Sequence, residues 1–157
     1  MGLILILQGC QTDPSTQNKV QLAEIDTELA VLDLNQHQPE SAKAHLLDAK
    51  SLAPDDALVL AGEGFYDLQI HEVPAAAEFY QRAIAIAPHN PDIQNDYGVF
   101  LYRTKAYQQA LPYFVQAAYS QDNLYAGEAF ENAGLTELKL GDAISAQAYF
   151  RAGHLQE

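Results

Sequence analysis

Lysine and arginine are scarce: eight of them face 21 aspartates and glutamates, which leaves the 157-residue chain with a formal net charge of -13. Proteins that bind nucleic acid draw much of their affinity from cationic contacts with phosphate, so this balance excludes that class. It also argues against unaided docking on anionic lipid. The expected partner is basic or apolar. Cysteine occurs once, at Cys10, so no internal disulfide can form. The apolar run at residues 2–7 has six residues, far too few to span a bilayer as a helix. None of His37, His45, His71, His89 and His154 has a His or Cys at metal-ligand spacing, and His71-Glu72 lacks the second histidine of a zinc-protease helix. The glycines are scattered, which excludes a phosphate-cradling loop between strand and helix. Residues 122–127 lack the alternating oxygen ligands of a calcium loop. Ser15, Ser41, Ser51, Ser120 and Ser145 stand outside any nucleophile motif. Asp55-Asp56 follow Pro54, where acidic residues favour a helix N-terminus. These absences predict a protein that is not an enzyme and holds no cofactor and no metal.

What fills the chain is a repeat, clearest in residues 95–118. Gly98 and Ala110 lie twelve residues apart across a short turn, and two helix backbones approach closely only where both positions lack a large side chain. Tyr107 and Phe114 fill the gaps around that contact, and a period of about 3.6 residues puts Ala110, Phe114 and Ala117 on one stripe. Tyr97-Gly98, Leu101, Tyr107, Ala110, Phe114 and Ala117 together match the tetratricopeptide pattern. The other close-contact pairs read as Ala30 with Ala42, Gly62 with Ala76, and Gly134 with Ala146. The alanines at 42, 76, 110 and 146 are 34, 34 and 36 residues apart. Gly62 and Ala76 are fourteen apart, which predicts a two-residue insertion at residues 70–73, with Pro74 opening the next helix.

The expected fold is therefore all-α, a tetratricopeptide-repeat solenoid of about four helical hairpins in a right-handed superhelix. Its repeats run about 22–54, 56–88, 91–122 and 127–157 within a domain at 20–157, preceded by a polar tether at 11–19. In the first helix Leu22, Ile25, Leu29 and Leu32 recur at three- and four-residue intervals along one face. The chain is long enough to bury about two thirds of its unfolded surface in one domain. A solenoid normally covers its last face with a polar capping helix. Few residues follow Gly153, so the expectation is that the array continues in a longer chain or that another subunit covers this end.

Stacked hairpins expose the free side of their first helices along a groove. The residues expected there are Glu63, Tyr66, Asn95, Val99, Tyr102, Glu131, Leu135 and Leu138. Such a mixed aromatic, apolar and acidic lining suits an extended or helical peptide with apolar anchors and a basic residue or two. Tyr102, Leu135 and Leu138 could equally pack the stack, and Asn95 and Asn132 could cap local backbone groups. No row of lysines or arginines lines the groove, which excludes recognition of an acidic tail.

The N-terminus, residues 1–10, resembles the end of a bacterial lipoprotein signal: a short apolar segment precedes Leu7-Gln8-Gly9-Cys10, although no Lys or Arg stands before it. That resemblance implies cleavage before Cys10 and lipidation of its thiol. Gln11 stands where aspartate commonly causes inner-membrane retention, so the resemblance favours the outer membrane, on its periplasmic face. The run from Asn95-Asp96-Tyr97-Gly98 to Tyr102, with Phe130-Glu131-Asn132-Ala133-Gly134-Leu135 and Gly141-Asp142, resembles type IV pilus biogenesis lipoproteins of the PilF/PilW type. So do the irregular second repeat and Cys10. This resemblance implies a pilotin, a tetratricopeptide lipoprotein that helps the outer-membrane secretin localise and multimerise, with the secretin subunit as partner. Members of that family commonly carry six repeats. Two other readings stay open: a generic tetratricopeptide adaptor that binds another peptide, and a scaffold of a different cell-envelope assembly machine.

Overall fold

The computed structural model describes residues 13–155. Among these it has eight helices and no strand: α1 Pro14–Asn35, α2 Pro39–Leu52, α3 Ala57–Gln69, α4 Val73–Ile86, α5 Pro91–Arg103, α6 Tyr107–Ala118, α7 Ala126–Leu140 and α8 Ala143–His154. Their starts are written in the sequence. Asp56, Asn90 and Asp142 each accept two backbone N–H groups of the following helix through a side-chain oxygen, and Pro39 and Pro91 occupy first-turn positions where no donor is lost. Asp13 caps α1, so the helix begins at Pro14, inside the stretch expected as a tether. Residues 1–12, with Cys10 and the apolar run, and residues 156–157 lie outside the described residues.

The helices pair as α1–α2, α3–α4, α5–α6 and α7–α8, and each hairpin stacks on the next. All four intrahairpin turns have the same backbone. One residue takes a left-handed conformation, at His37 (φ 60°), His71 (φ 68°), Lys105 (φ 66°) and Gly141 (φ 91°). The following N–H then reaches back to a carbonyl five residues earlier, at Asp33, Asp67, Leu101 and Glu137. This is the Schellman closure of a helix end, and three of the four hairpins form it without glycine.

The identity of these turns corrects the expected insertion. A Cβ on Gly64 would lie 3.0 Å from the Tyr80 ring, just as one on Gly98 would meet Phe114 at 2.7 Å and one on Gly134 would meet Phe150 at 2.6 Å. Gly64, and not Gly62, is therefore the close-contact glycine of the second hairpin. It stands twelve residues before Ala76, the same spacing as in the other three hairpins. Gly62 serves a different contact, because its Cβ would meet Thr27 of α1 at 2.5 Å, between neighbouring hairpins. The added length falls instead in the α6–α7 connection, residues 119–125, which has seven residues against four in the α2–α3 and α4–α5 connections. Past this longer loop α7 meets the preceding hairpin mainly through α6 and only lightly through α5.

The main core runs through the middle hairpins. Ala76, Ala83, Ala110 and Ala133 are fully buried there, beside Tyr80 and Phe114 at 1% exposure. Tyr80, Phe100, Tyr97 and Tyr113 form a chain of ring contacts with centroids 4.8–6.3 Å apart. Tyr107 is not one of the core fillers; its ring meets Tyr102 at 5.2 Å near the hairpin tip. The first helix also departs from expectation. Ala23, Thr27, Ala30 and Leu34 face the array, whereas Leu22, Ile25, Leu29 and Leu32 are 40–52% exposed. The close approach of α1 to α2 and α3 demands small residues, so the leucines turn outward.

Candidate functional site

The first helices α1, α3 and α5 enclose a cavity of about 490 Å³. Helix α1 contributes Glu24, Thr27, Glu28 and Val31, α3 contributes Leu58, Ala61, Gly62 and Phe65, and α5 contributes Asp92 and Asp96. Tyr125, from the long α6–α7 connection, completes the lining. A smaller hollow of about 140 Å³, bounded by Asp92, Asn95, Asp96, Asn123, Tyr125 and Glu128, continues the groove toward α7. Asn123 fixes the connection locally: its amide donates to the Ala117 carbonyl at 2.8 Å and its side-chain oxygen accepts the Tyr125 N–H at 2.7 Å.

The groove is apolar on α3 and acidic on either side. Among the described residues, no lysine, arginine or histidine lines the cavity or the hollow. Burial pushes the Asp96 carboxyl up to about 7, with Asp92 and Glu128 adding like charge. Glu24 is raised in the same way, by burial first and then by Asp56 and Glu28. Uncompensated carboxylates on a partly dry surface account for both shifts. An outer depression, lined by Ile84, Pro88, His89, Tyr97, Leu101, Gln109, Pro112, Tyr113 and Gln116, carries no carboxylate among the described residues.

The residues expected in the groove divide by repeat. Asn95 lines the smaller hollow, donates to Glu128 Oε1 at 3.4 Å and accepts from the Asn132 amide at 3.0 Å, so it bridges α5 to α7. Val99 and Tyr102 are half-buried against the main core, and Tyr102 turns to Tyr107. On α7, Glu131, Leu135 and Leu138 are exposed. Glu63 and Tyr66 are not in the groove. Glu63 pairs with Lys50 of α2 at 3.6 Å, and Tyr66 packs on Ala30, Leu34, Ala42 and Leu46.

Aligning the second repeat on Gly62 shifted its register by two residues, which on a helix turns a side chain by about 200°. With Gly64 as reference, the positions equivalent to Asn95 and Val99 are Ala61 and Phe65, and both line the cavity. The sixteen-residue glycine-to-aromatic spacing shared by Gly64-Tyr80, Gly98-Phe114 and Gly134-Phe150 was the signal available in the sequence. Glu24, Glu28, Asp92, Asp96 and Tyr125 went unselected, because nothing local distinguishes a groove carboxylate from a solvated one.

Four stacked hairpins, with small residues at each closest approach and a groove along their first helices, define a tetratricopeptide-repeat solenoid. No family model matches the chain. The type IV pilus assembly protein PilF of Pseudomonas aeruginosa is 34% identical over 119 residues, which is 74% of this chain and 46% of that protein. The solved structure of Pseudomonas aeruginosa pilF superposes with a TM-score of 0.78 at 28% identity, covering 89% of this chain and 63% of that one. PilW, described as a widely conserved type IV pilus biogenesis factor, superposes with a TM-score of 0.76 at 25% identity over 86% of this chain and 62% of its own. The chain thus resembles the PilF/PilW-type type IV pilus biogenesis proteins over most of its length and spans about half of the Pseudomonas protein. Among the described residues, no helix is long and apolar enough to cross a membrane.

Proposed function

We propose that this chain acts in type IV pilus biogenesis as a non-enzymatic protein-binding module, a pilotin that assists localisation and multimerisation of the outer-membrane secretin. The observation that carries the reading is the likeness to PilF, 34% identical in sequence and superposing across the hairpin array with a TM-score of 0.78. Lipidation at Cys10 would hold the solenoid on the periplasmic face of the outer membrane. The groove then meets the partner with Leu58 and Phe65 as apolar floor and Glu24, Glu28, Asp92 and Asp96 as acidic walls. An extended segment with apolar anchors fits such a groove, because its side chains alternate between floor and rim. Asn95, Glu131, Leu135 and Leu138 extend the same contact along α5 and α7, with Val99 and Tyr102 supporting it from below.

The test is capture from detergent-solubilised envelope by the lipidated protein, read by mass spectrometry, together with the secretin's oligomeric state in a deletion strain. Secretin as the dominant captured species, and monomeric secretin after deletion, are the expected results. Capture of other envelope proteins in its place would make the chain a scaffold of a different assembly machine. Processing at Cys10 that is insensitive to globomycin would remove the lipid anchor from the reading.

A further inference from the structure

We propose that the cavity between α1, α3 and α5 takes the cationic end of one lysine or arginine side chain from the bound segment, while an apolar neighbour of that residue seats on Leu58 and Phe65. The proposal rests on the groove being the protein-binding site given above and names the chemistry it selects. Three observations carry it. First, the cavity of about 490 Å³ is large enough for a long side chain and an adjoining apolar one, with Leu58, Ala61, Phe65 and Val31 as walls. Second, Glu24 and Glu28 enter from α1, Asp92 and Asp96 from α5, and Glu128 stands at the α7 edge, without a cation of the chain among them. The arginines and lysines with assigned partners are spent elsewhere: Lys50 on Glu63 and the Phe79 ring, Arg82 on Asp55, Arg103 on Gln69. Third, Asp96 lines both the cavity and the hollow, is half-buried between them and makes no side-chain hydrogen bond to the described residues.

An apolar occupant alone would strip water from these carboxylates and return nothing, whereas a cation offsets the desolvation. A metal ion is the wrong shape of cation. Among the described residues no three acidic or histidine side chains converge closely enough to hold one, while an ammonium or guanidinium on a flexible stem can settle between carboxylates that stand apart. Entry of the cation also drives a proton off Asp96. The charged and titratable groups that face it are Glu24 and Glu28 from α1, Tyr80 from α4, Asp92 on its own helix, and Tyr125 and Glu128 from the α7 side; the α3 wall is uncharged. With its carboxyl held at about 7, Asp96 is partly protonated at neutral pH, and binding strengthens as pH rises from 6 to 8.

The experiment uses a fluorescein-labelled hexapeptide, Ala-Leu-Ala-Lys-Phe-Ala, and its twin with norleucine in place of lysine, titrated with the protein at low salt and read by polarisation. The lysine peptide is expected to bind about tenfold more tightly than its twin at pH 8, and by a smaller ratio at pH 6. Asp96→Asn should remove most of that pH dependence, with circular dichroism checking that the variant is folded. Equal binding of the two peptides, binding of neither, or a lysine preference that Asp96→Asn and Asp92→Asn both leave intact would overturn the proposal. Envelope capture run in parallel separates the two readings. A lysine preference without secretin capture keeps the cavity's role and ends the pilotin assignment. Secretin capture without a lysine preference does the reverse.

Discussion

Replacing Asp96 by asparagine should make the protein more stable, and only above acid pH. Raising a carboxyl from 3.8 to about 7 corresponds to about 4 kcal/mol between its charged and neutral forms. Asp96 is only half-buried in the groove wall and still meets solvent, and screening there leaves about 2 kcal/mol. The sign follows from proton counting. The folded protein holds the Asp96 proton more tightly than the unfolded chain, so between about pH 4 and pH 7 the native state binds more protons and stability falls as pH rises. Above about pH 7 the full penalty is present. Asp96→Asn is nearly isosteric and never ionises, so its gain over the parent protein should be about 2 kcal/mol at pH 8, shrink through pH 7 and vanish at pH 4. Urea unfolding at a series of pH values, with both proteins fitted to one slope, measures that difference. A gain that is the same at pH 4 and pH 8, or no gain at either, would refute the claim that Asp96 is an uncompensated carboxylate.

The close contacts make a ranked prediction. Gly98→Ala and Gly134→Ala should cost about 1–3 kcal/mol from overlap with Phe114 and Phe150, outweighing alanine's helix preference, whereas Gly64→Ala, facing Tyr80 at 3.0 Å, should cost less; equal melting temperatures for all three would contradict the geometry. Lys105→Gly should stabilise by about 0.5–1 kcal/mol by relieving a left-handed lysine, and Gly141→Ala should destabilise by about 1 kcal/mol, both measured by thermal unfolding. Ile25→Lys and Leu29→Lys on the outward face of α1 should change stability by less than about 0.5 kcal/mol, while Ala30→Leu, on the face turned to the array, should overpack it; a large loss for the lysine variants would place the leucine stripe back in the core. Asn123→Ala should free the Ala117 carbonyl and the turn before Tyr125, seen as faster amide exchange at the start of α7.

The sequence by itself determined the all-helical hairpin array, because that information is local: capping residues, prolines in first turns, and small residues twelve apart are enough to specify a helix, its end and its neighbour. It also determined the chain's own acidic charge, since a net charge of -13 belongs to composition. Register was harder. Gly62 and Gly64 lie two residues apart, and only packing tells which meets its own hairpin's aromatic ring and which meets the hairpin before. That choice decided whether Glu63 and Tyr66 or Ala61 and Phe65 face the groove. The orientation of α1 was likewise a tertiary matter, because a stripe of leucines reads as a core face until neighbours demand alanine and threonine at the point of closest approach. Tertiary structure alone gathered Glu24, Glu28, Asp92, Asp96 and Tyr125 into one cavity. They come from two helices and a loop spread over about a hundred residues, and the shift of Asp96 arises only where burial and the charges of Asp92 and Glu128 act on it together.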